Sequence, residues 1–205
     1  MPAPDVSIPT NVTHPVVGHV NLMVDTFLAN VDSDDLRPLV RRLLSSGLPG
    51  IAKTFGEVAR GYYSSKGEEC KPNYESLFRR GEQGAVVPTE DFNEALIHGR
   101  SLYGIGMGLA ALEVLAFIVS ATVGIRWREG DKLYGALVVL DSDITQAIQS
   151  CKEEKESGRI VDQTRMRKVV ENLRSVLKES SEEVRSWDGA FPFDKAASSV
   201  QYWKI

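Results

Sequence analysis

Between Ser101 and Ile125 the chain reads SLYGIGMGLAALEVLAFIVSATVGI, with one charge, Glu113, near the middle. This run constrains the fold more than any other feature, because a stretch so apolar must be hidden from water by lipid, protein or a ligand. As a membrane span its length is adequate, about 20 apolar residues being needed. Its energetics are poor. Eleven Leu, Ile, Val and Phe residues each favour insertion by roughly 0.3 to 0.6 kcal/mol, while a central carboxylate costs roughly 2.5 to 3.5 kcal/mol and the glycines add to that. The balance is near zero and no second span accompanies it.

A nucleotide loop fits no better. Gly104, Gly106 and Gly108 precede a helix pattern, but a dinucleotide fingerprint needs a preceding strand and a third glycine where Leu109 stands. No cofactor is expected. The third reading is a core helix, in which Gly104, Gly106, Gly108, Ala110 and Ala111 let neighbouring backbones approach closely. A helix apolar all round must be surrounded on all sides. One long element is therefore expected from Glu90 to about Arg126, kinked at its glycines, through the middle of a bundle.

The flanking sequence supports a bundle. Residues 1–12, with Pro2, Pro4 and Pro9, cannot hold a regular helix and read as an N-terminal arm. Val16, Val20, Met23, Val24, Phe27 and Leu28 then recur at helical spacing to about Val31, with Pro15 in the first turn. A second helix follows with Asp or Ser as its cap, Pro38 in its first turn and Leu36, Leu39, Val40, Leu43 and Leu44 as its inner stripe. A third places Ile51, Phe55, Val58 and Tyr62 on one face, interrupted by Gly56 and Gly61.

After a loop containing Cys70, PNYESLFRRG predicts a short fourth helix and EQGAVVP a connector. Thr89 caps the next helix, with Glu90 and Asp91 in its first turn. Beyond the apolar run, Leu133, Leu137, Leu140, Ile144, Ala147, Ile148 and Cys151 form one stripe. Met166, Val169, Val170, Leu173, Val176, Leu177, Val184 and Trp187 form another over a helix of roughly 36 Å. The expected fold is all-α, a bundle of about seven or eight helices around a glycine-rich apolar central helix. Residues 13–189 read as a single helical domain, and the aromatic segment 190–205 as docking on the body or on a second copy.

Charge and cysteine usage narrow the function classes. The net charge of −4 and the absence of long basic clusters argue against nucleic acid as a partner. The first residues carry no secretory signal pattern, so a reducing, cytoplasmic setting is expected and the sequon at Asn11 is taken as chance. For chemistry, the candidate is Glu113, whose expected burial would raise its pKa and suit it to acid/base work or ligand contact. Tyr103, Met107 and Phe117 complete a candidate ligand site with it, and His98 or Tyr103 would assist. Glu94 and His98, four apart with Asp91 on the same side, make a weak metal pair. A four-helix di-metal site needs Glu-x-x-His twice, and His14 and His19 supply nothing further, so no metal is expected. Neither cysteine has a neighbouring histidine in sequence.

Three function classes survive. The first is a soluble binding or interaction protein that self-associates as a homo-oligomer, through the helix from Thr164 to Trp187 or the aromatic tail, and holds a hydrophobic small molecule between helices. The second is an enzyme acting on an apolar metabolite through Glu113. The third is a membrane-associated protein using residues 101–125.

Overall fold

Asp32, Thr89 and Asp162 each cap a helix start through the side chain, and the left-handed glycines Gly106 and Gly158 stand just past helix ends. The computed structural model describes residues 22–66, 76–81 and 84–204, and these form an all-α multi-helix bundle with one short hairpin. The chain divides at Ile51 into two units, residues 1–51 and 52–205, each described by itself. The first holds α1 (Leu22–Asn30) and α2 (Ser33–Leu44). The expected start of the first helix near Thr13 lies outside the described residues. Asp32 caps α2 by accepting the Asp34 N–H at 2.8 Å. Pro38, assigned above to the first turn, is consequently the sixth helical residue, inside the helix. It offers no N–H to the Asp34 carbonyl.

The second unit runs from α3 (Ile51–Lys66), which begins at the boundary, through β1 (Phe78–Arg80) and β2 (Val86–Pro88) to α4 (Glu90–Gly104). Then come α5 (Gly108–Ser120), α6 (Lys132–Glu156), α7 (Gln163–Ser186) and α8 (Asp194–Gln201). The short helix expected over residues 72–81 is overturned in its described part. Phe78, Arg79 and Arg80 pair antiparallel with Pro88, Val87 and Val86. The physical reason lies in residues distant from the helical pattern: β-branched Val86 and Val87 favour a strand, and Gly84, at φ 81°, supplies the left-handed turn residue. Thr89 then starts α4, accepting the Phe92 N–H and donating to the Ser76 carbonyl at 2.6 Å.

The apolar run is two helices, not one. Gly106 adopts φ 78°, its N–H bonds the Tyr103 carbonyl at 3.0 Å, and the Met107 N–H reaches back to Leu102 at 2.9 Å. This pair of bonds is the Schellman termination, which demands a left-handed residue. The glycine is a stop signal rather than a kink. Arg60 caps the freed Ile105 carbonyl at 2.9 Å. At the other side of the break, Glu154 accepts the Leu109 N–H at 2.9 Å, a carboxylate at a helix N-terminus where the dipole favours it.

After the break α5 packs against α4, α6 and α7. The core lies among these helices: Leu112, Leu115, Ile118, Leu137, Leu140, Ile144 and Leu173 are all fully buried. At Gly108 helix meets helix backbone to backbone, since a Cβ built on it would overlap the Ser150–Cys151 peptide. Gly104, by contrast, faces open space. One face of α5 is uncovered, with Glu113 and Phe117 exposed. The expectation of a helix surrounded on all sides is thus corrected.

With 13 residues, α5 spans about 20 Å, short of the hydrocarbon thickness of about 30 Å. Among the described residues no helix is long and apolar enough to cross a membrane. The stripe predicted for α7 is buried against the body from Met166 to Val184. The C-terminal helix α8 packs on α6 and α7, with Phe193 fully buried beside it.

These two glycines separate packing from propensity. Gly108→Ala should lower stability by at least about 1 to 3 kcal/mol, because α5 and α6 must move apart. Gly104→Ala should be neutral or stabilising by about 0.5 to 1 kcal/mol, since alanine costs less backbone entropy in a helix. Thermal or urea unfolding of the two variants checks this, and equal effects would refute the close crossing.

Candidate functional site

The helical phase of α6 places two carboxylates inside the bundle. Asp143 lies on the same face as Leu140 and Ala147, and Asp141 on that of Leu137 and Ile144; all are buried. Two residues apart on a helix, their side chains point to different neighbours. Asp143 meets α4. Arg100 donates to it from Nε at 3.0 and 3.1 Å and from Nη2 at 2.8 Å, and the Tyr103 hydroxyl donates to it at 2.9 Å. Asp141 meets α8, accepting the Ala196 N–H at 2.8 Å.

The environments of these groups follow from burial and pairing. The hydrogen bond to Asp143 raises Arg100 above its ordinary value, against an opposing cost of burial. Burial first, then the bond to Asp143, pushes the Tyr103 hydroxyl up to about 12. Burial raises Asp141, partly offset by the N–H groups of Ala196 and Lys195 that favour its charge. Each of these carboxylates accepts hydrogen bonds from a neighbouring element, so the cluster reads as a set of interhelical ties.

Glu113 is not buried. Its side chain keeps 41% of its exposure, and Arg165 on α7 holds it bidentately at 3.0 and 2.7 Å. The premise that burial tunes it for acid/base chemistry therefore fails. The helical period placed Glu113 on the one face of α5 that the bundle leaves open. The same face carries Phe117, exposed, one turn on. Tyr103 is tied to Asp143 at the α4/α6 contact and Met107 packs against the core at the break. None of these four lines the cleft at Trp127 and Trp187, the one at Arg79 and Lys132 or the one at Arg174 and Phe191.

Asp91 accepts a hydrogen bond from the Ser76 hydroxyl at 2.8 Å. His98 lies beside the Tyr63 ring at 6.2 Å between centroids, and Glu94 is exposed. Among the described residues no three His, Cys, Asp or Glu side chains converge as a metal site. His14, His19 and Cys70 lie outside the described residues. Cys151 is fully buried, and burial, with the adjacent Glu154 carboxylate, pushes its thiol up to about 12. Such a thiol is neither ionised nor reachable at neutral pH.

Large apolar side chains are exposed in the N-terminal helices. Met23, Val24, Phe27 and Leu28 on α1, and Leu39 and Leu43 on α2, are exposed. No residue of α2 is buried, although Leu36, Leu39, Val40, Leu43 and Leu44 fall at the i, i+3, i+4, i+7, i+8 positions of a single face. The α3 residues Phe55, Val58 and Tyr62 are exposed as well. Compared with known proteins, the chain matches no family model, no curated protein and no solved structure.

Tyr103 gives a direct readout of the Asp143 cluster. Its folded value lies above the ordinary 10, so its contribution to stability is complete below about pH 10 and is lost as pH rises through about 12. The difference in phenolate absorbance between the wild type and Tyr103→Phe should appear near pH 12. The variant should lose about 1.5 to 3 kcal/mol, the worth of a hydrogen bond to a charged acceptor. A difference signal centred near the ordinary tyrosine value would place Tyr103 in solvent instead.

Proposed function

We propose that this protein is a helical interaction protein that self-associates through the apolar faces of its N-terminal helices, α2 above all. The carrying observation is a five-residue Leu/Val stripe on a helix with no buried residue, Leu39 and Leu43 exposed and Leu36, Val40 and Leu44 half-buried. A 12-residue helix is marginal in water on its own, and most helical stability comes from packing an apolar face. Burying one leucine is worth about 1.5 to 3 kcal/mol. Two copies of the stripe can supply that for each other.

Charge supports a second copy as the occupant. α2 carries Asp34 and Asp35 in its first turn and Arg41 and Arg42 in its last. About a twofold axis, antiparallel α2 helices bring each acidic end against the partner's basic end while the leucines meet in the seam. Of the surfaces first expected to self-associate, the α7 stripe packs on α5 and α8, and Phe193 and Trp203 of the aromatic tail are buried while Tyr202 is exposed. Val24, Phe27 and Leu28 on α1 and Leu39 and Leu43 on α2 are exposed as well. A cytoplasmic setting belongs to this reading and is supported by Cys151, a free thiol.

Sedimentation velocity across a concentration series tests it. The wild type should sediment as a dimer or larger, and Leu39→Glu combined with Leu43→Glu should reduce it to the monomer. Both side chains are at least 44% exposed, so the substitution removes no core. A wild-type monomer throughout the series, or an assembly indifferent to the double substitution, would overturn the proposal.

A further inference from the structure

At one end of the second unit three connections meet: the hairpin turn at Gly84 and Ala85, the segment between α5 and α6, and the segment between α7 and α8. Between them lies a cleft of about 890 Å³, within the range of small-molecule sites. Its aromatic wall is the half-buried Trp187, backed edge to face by Trp127, which is only 5% exposed, with centroids 5.4 Å apart. The Trp127 indole N–H donates to the Ala190 carbonyl at 2.9 Å, tying two of the connections together. The Trp187 indole N–H is buried without an acceptor. That ring is held by packing alone and is not pinned through its polar edge.

Arg126 and Arg128 also line the cleft, on either side of Trp127 in sequence. Among the described residues neither guanidinium is paired with a carboxylate or hydrogen-bonded to any acceptor, in contrast to Arg100 and Arg165. The lip is built with backbone strain. Asp188 ends α7 at φ 55°, a left-handed conformation that usually selects glycine. The next residue, Gly189, lies so close under the Trp187 ring that a Cβ there would overlap it. A strained non-glycine residue at the edge of a cleft is where functional constraint is commonly found.

We propose that this cleft binds a small organic anion that carries an aromatic ring, the ring against Trp127 and Trp187 and the carboxylate or phosphate held by Arg126 and Arg128. Guanidinium groups match both anions in bidentate geometry and stack on aromatic faces. Glu129, Asp131 and Asp188 also line the cleft, and Asp131 accepts the Arg128 backbone N–H at 2.8 Å, so the site is not a bare basic patch. A simple inorganic anion gains the two arginines but meets three carboxylates, whereas an aromatic anion adds the ring contact. The site is distinct from the N-terminal apolar faces and stands whether or not the chain self-associates.

The three tryptophans allow a test on the full-length protein. Each contributes one indole N–H signal in a nitrogen-correlated NMR spectrum, assigned by single Trp→Phe substitutions, and Trp203 is buried beside Arg174 away from the cleft. Phenyl phosphate should shift the Trp127 and Trp187 signals saturably and leave that of Trp203 in place. Inorganic phosphate and benzyl alcohol should each bind more weakly. The exposed pair Arg126→Gln and Arg128→Gln should keep the fold and weaken phenyl phosphate about tenfold or more, the loss expected for charge-assisted hydrogen bonds. No saturable shift, a shift of Trp203 alone, or unchanged affinity in the double variant would overturn the site.

Discussion

The crossing of α5 over α6 at Gly108 is the constraint on which the second unit is built. Backbone there meets backbone, with no side chain between Gly108 and the Ser150–Cys151 peptide. The crossing is possible only because the chain stops two residues earlier at Gly106 and restarts in a new direction. Without that break α4 and α5 would be one rod, and α4 could not fold back to pack against α5. Arg60, Ser150 and Glu154 each bond backbone at or near the break. A turn that would otherwise expose four orphan groups at each helix end is thereby satisfied.

α6 serves as the hub through charge as well as through packing. Asp143 ties α4, Asp141 ties the start of α8, and Glu154 ties the start of α5. Asp141 and Glu154 accept backbone N–H groups at helix starts and Asp143 accepts the Tyr103 hydroxyl, and a buried donor left unmet costs about 1 to 3 kcal/mol. Arg174 performs the complementary task at the far end of α8, donating to the carbonyls of Val200 and Trp203. The C-terminal segment is thus held at both ends by polar groups and in the middle by Phe193, Ala196 and Val200. Hydrophobic burial supplies the bulk of the stabilisation, and these bonds select one register of helix on helix.

The distribution of apolar exposure separates structure from recognition. The helices α4 to α8 bury their stripes in the core of the second unit. The exposed apolar side chains of α1 and α2, and the aromatic cleft at the loop end, are different kinds of surface. The first is a pair of continuous helical faces, suited to another helix. The second is a concavity with two free guanidiniums, suited to a small charged ring. An interaction protein can carry both, one for assembly and one for a guest.

Much of this was legible in the residue order. The stripes of α6 and α7, the Thr89 cap and the all-α class follow from local chemistry and from a 3.6-residue period, which depend only on near neighbours. Asp141 and Asp143 were missed, although a signal was there: their phase sets them among Leu137, Leu140 and Ile144. Three things were decided by tertiary structure. Gly106 could pack or terminate, and its left-handed turn depends on what the next helix must reach. Phe78 to Arg80 fit a helical pattern until Val86 to Pro88 offered a partner strand. Glu113 lies in the most apolar run of the chain yet faces outward, because a period tells which residues share a face and not whether another element covers it. Coverage is a property of distant segments arriving at the same place, and the sequence of one helix holds no record of them.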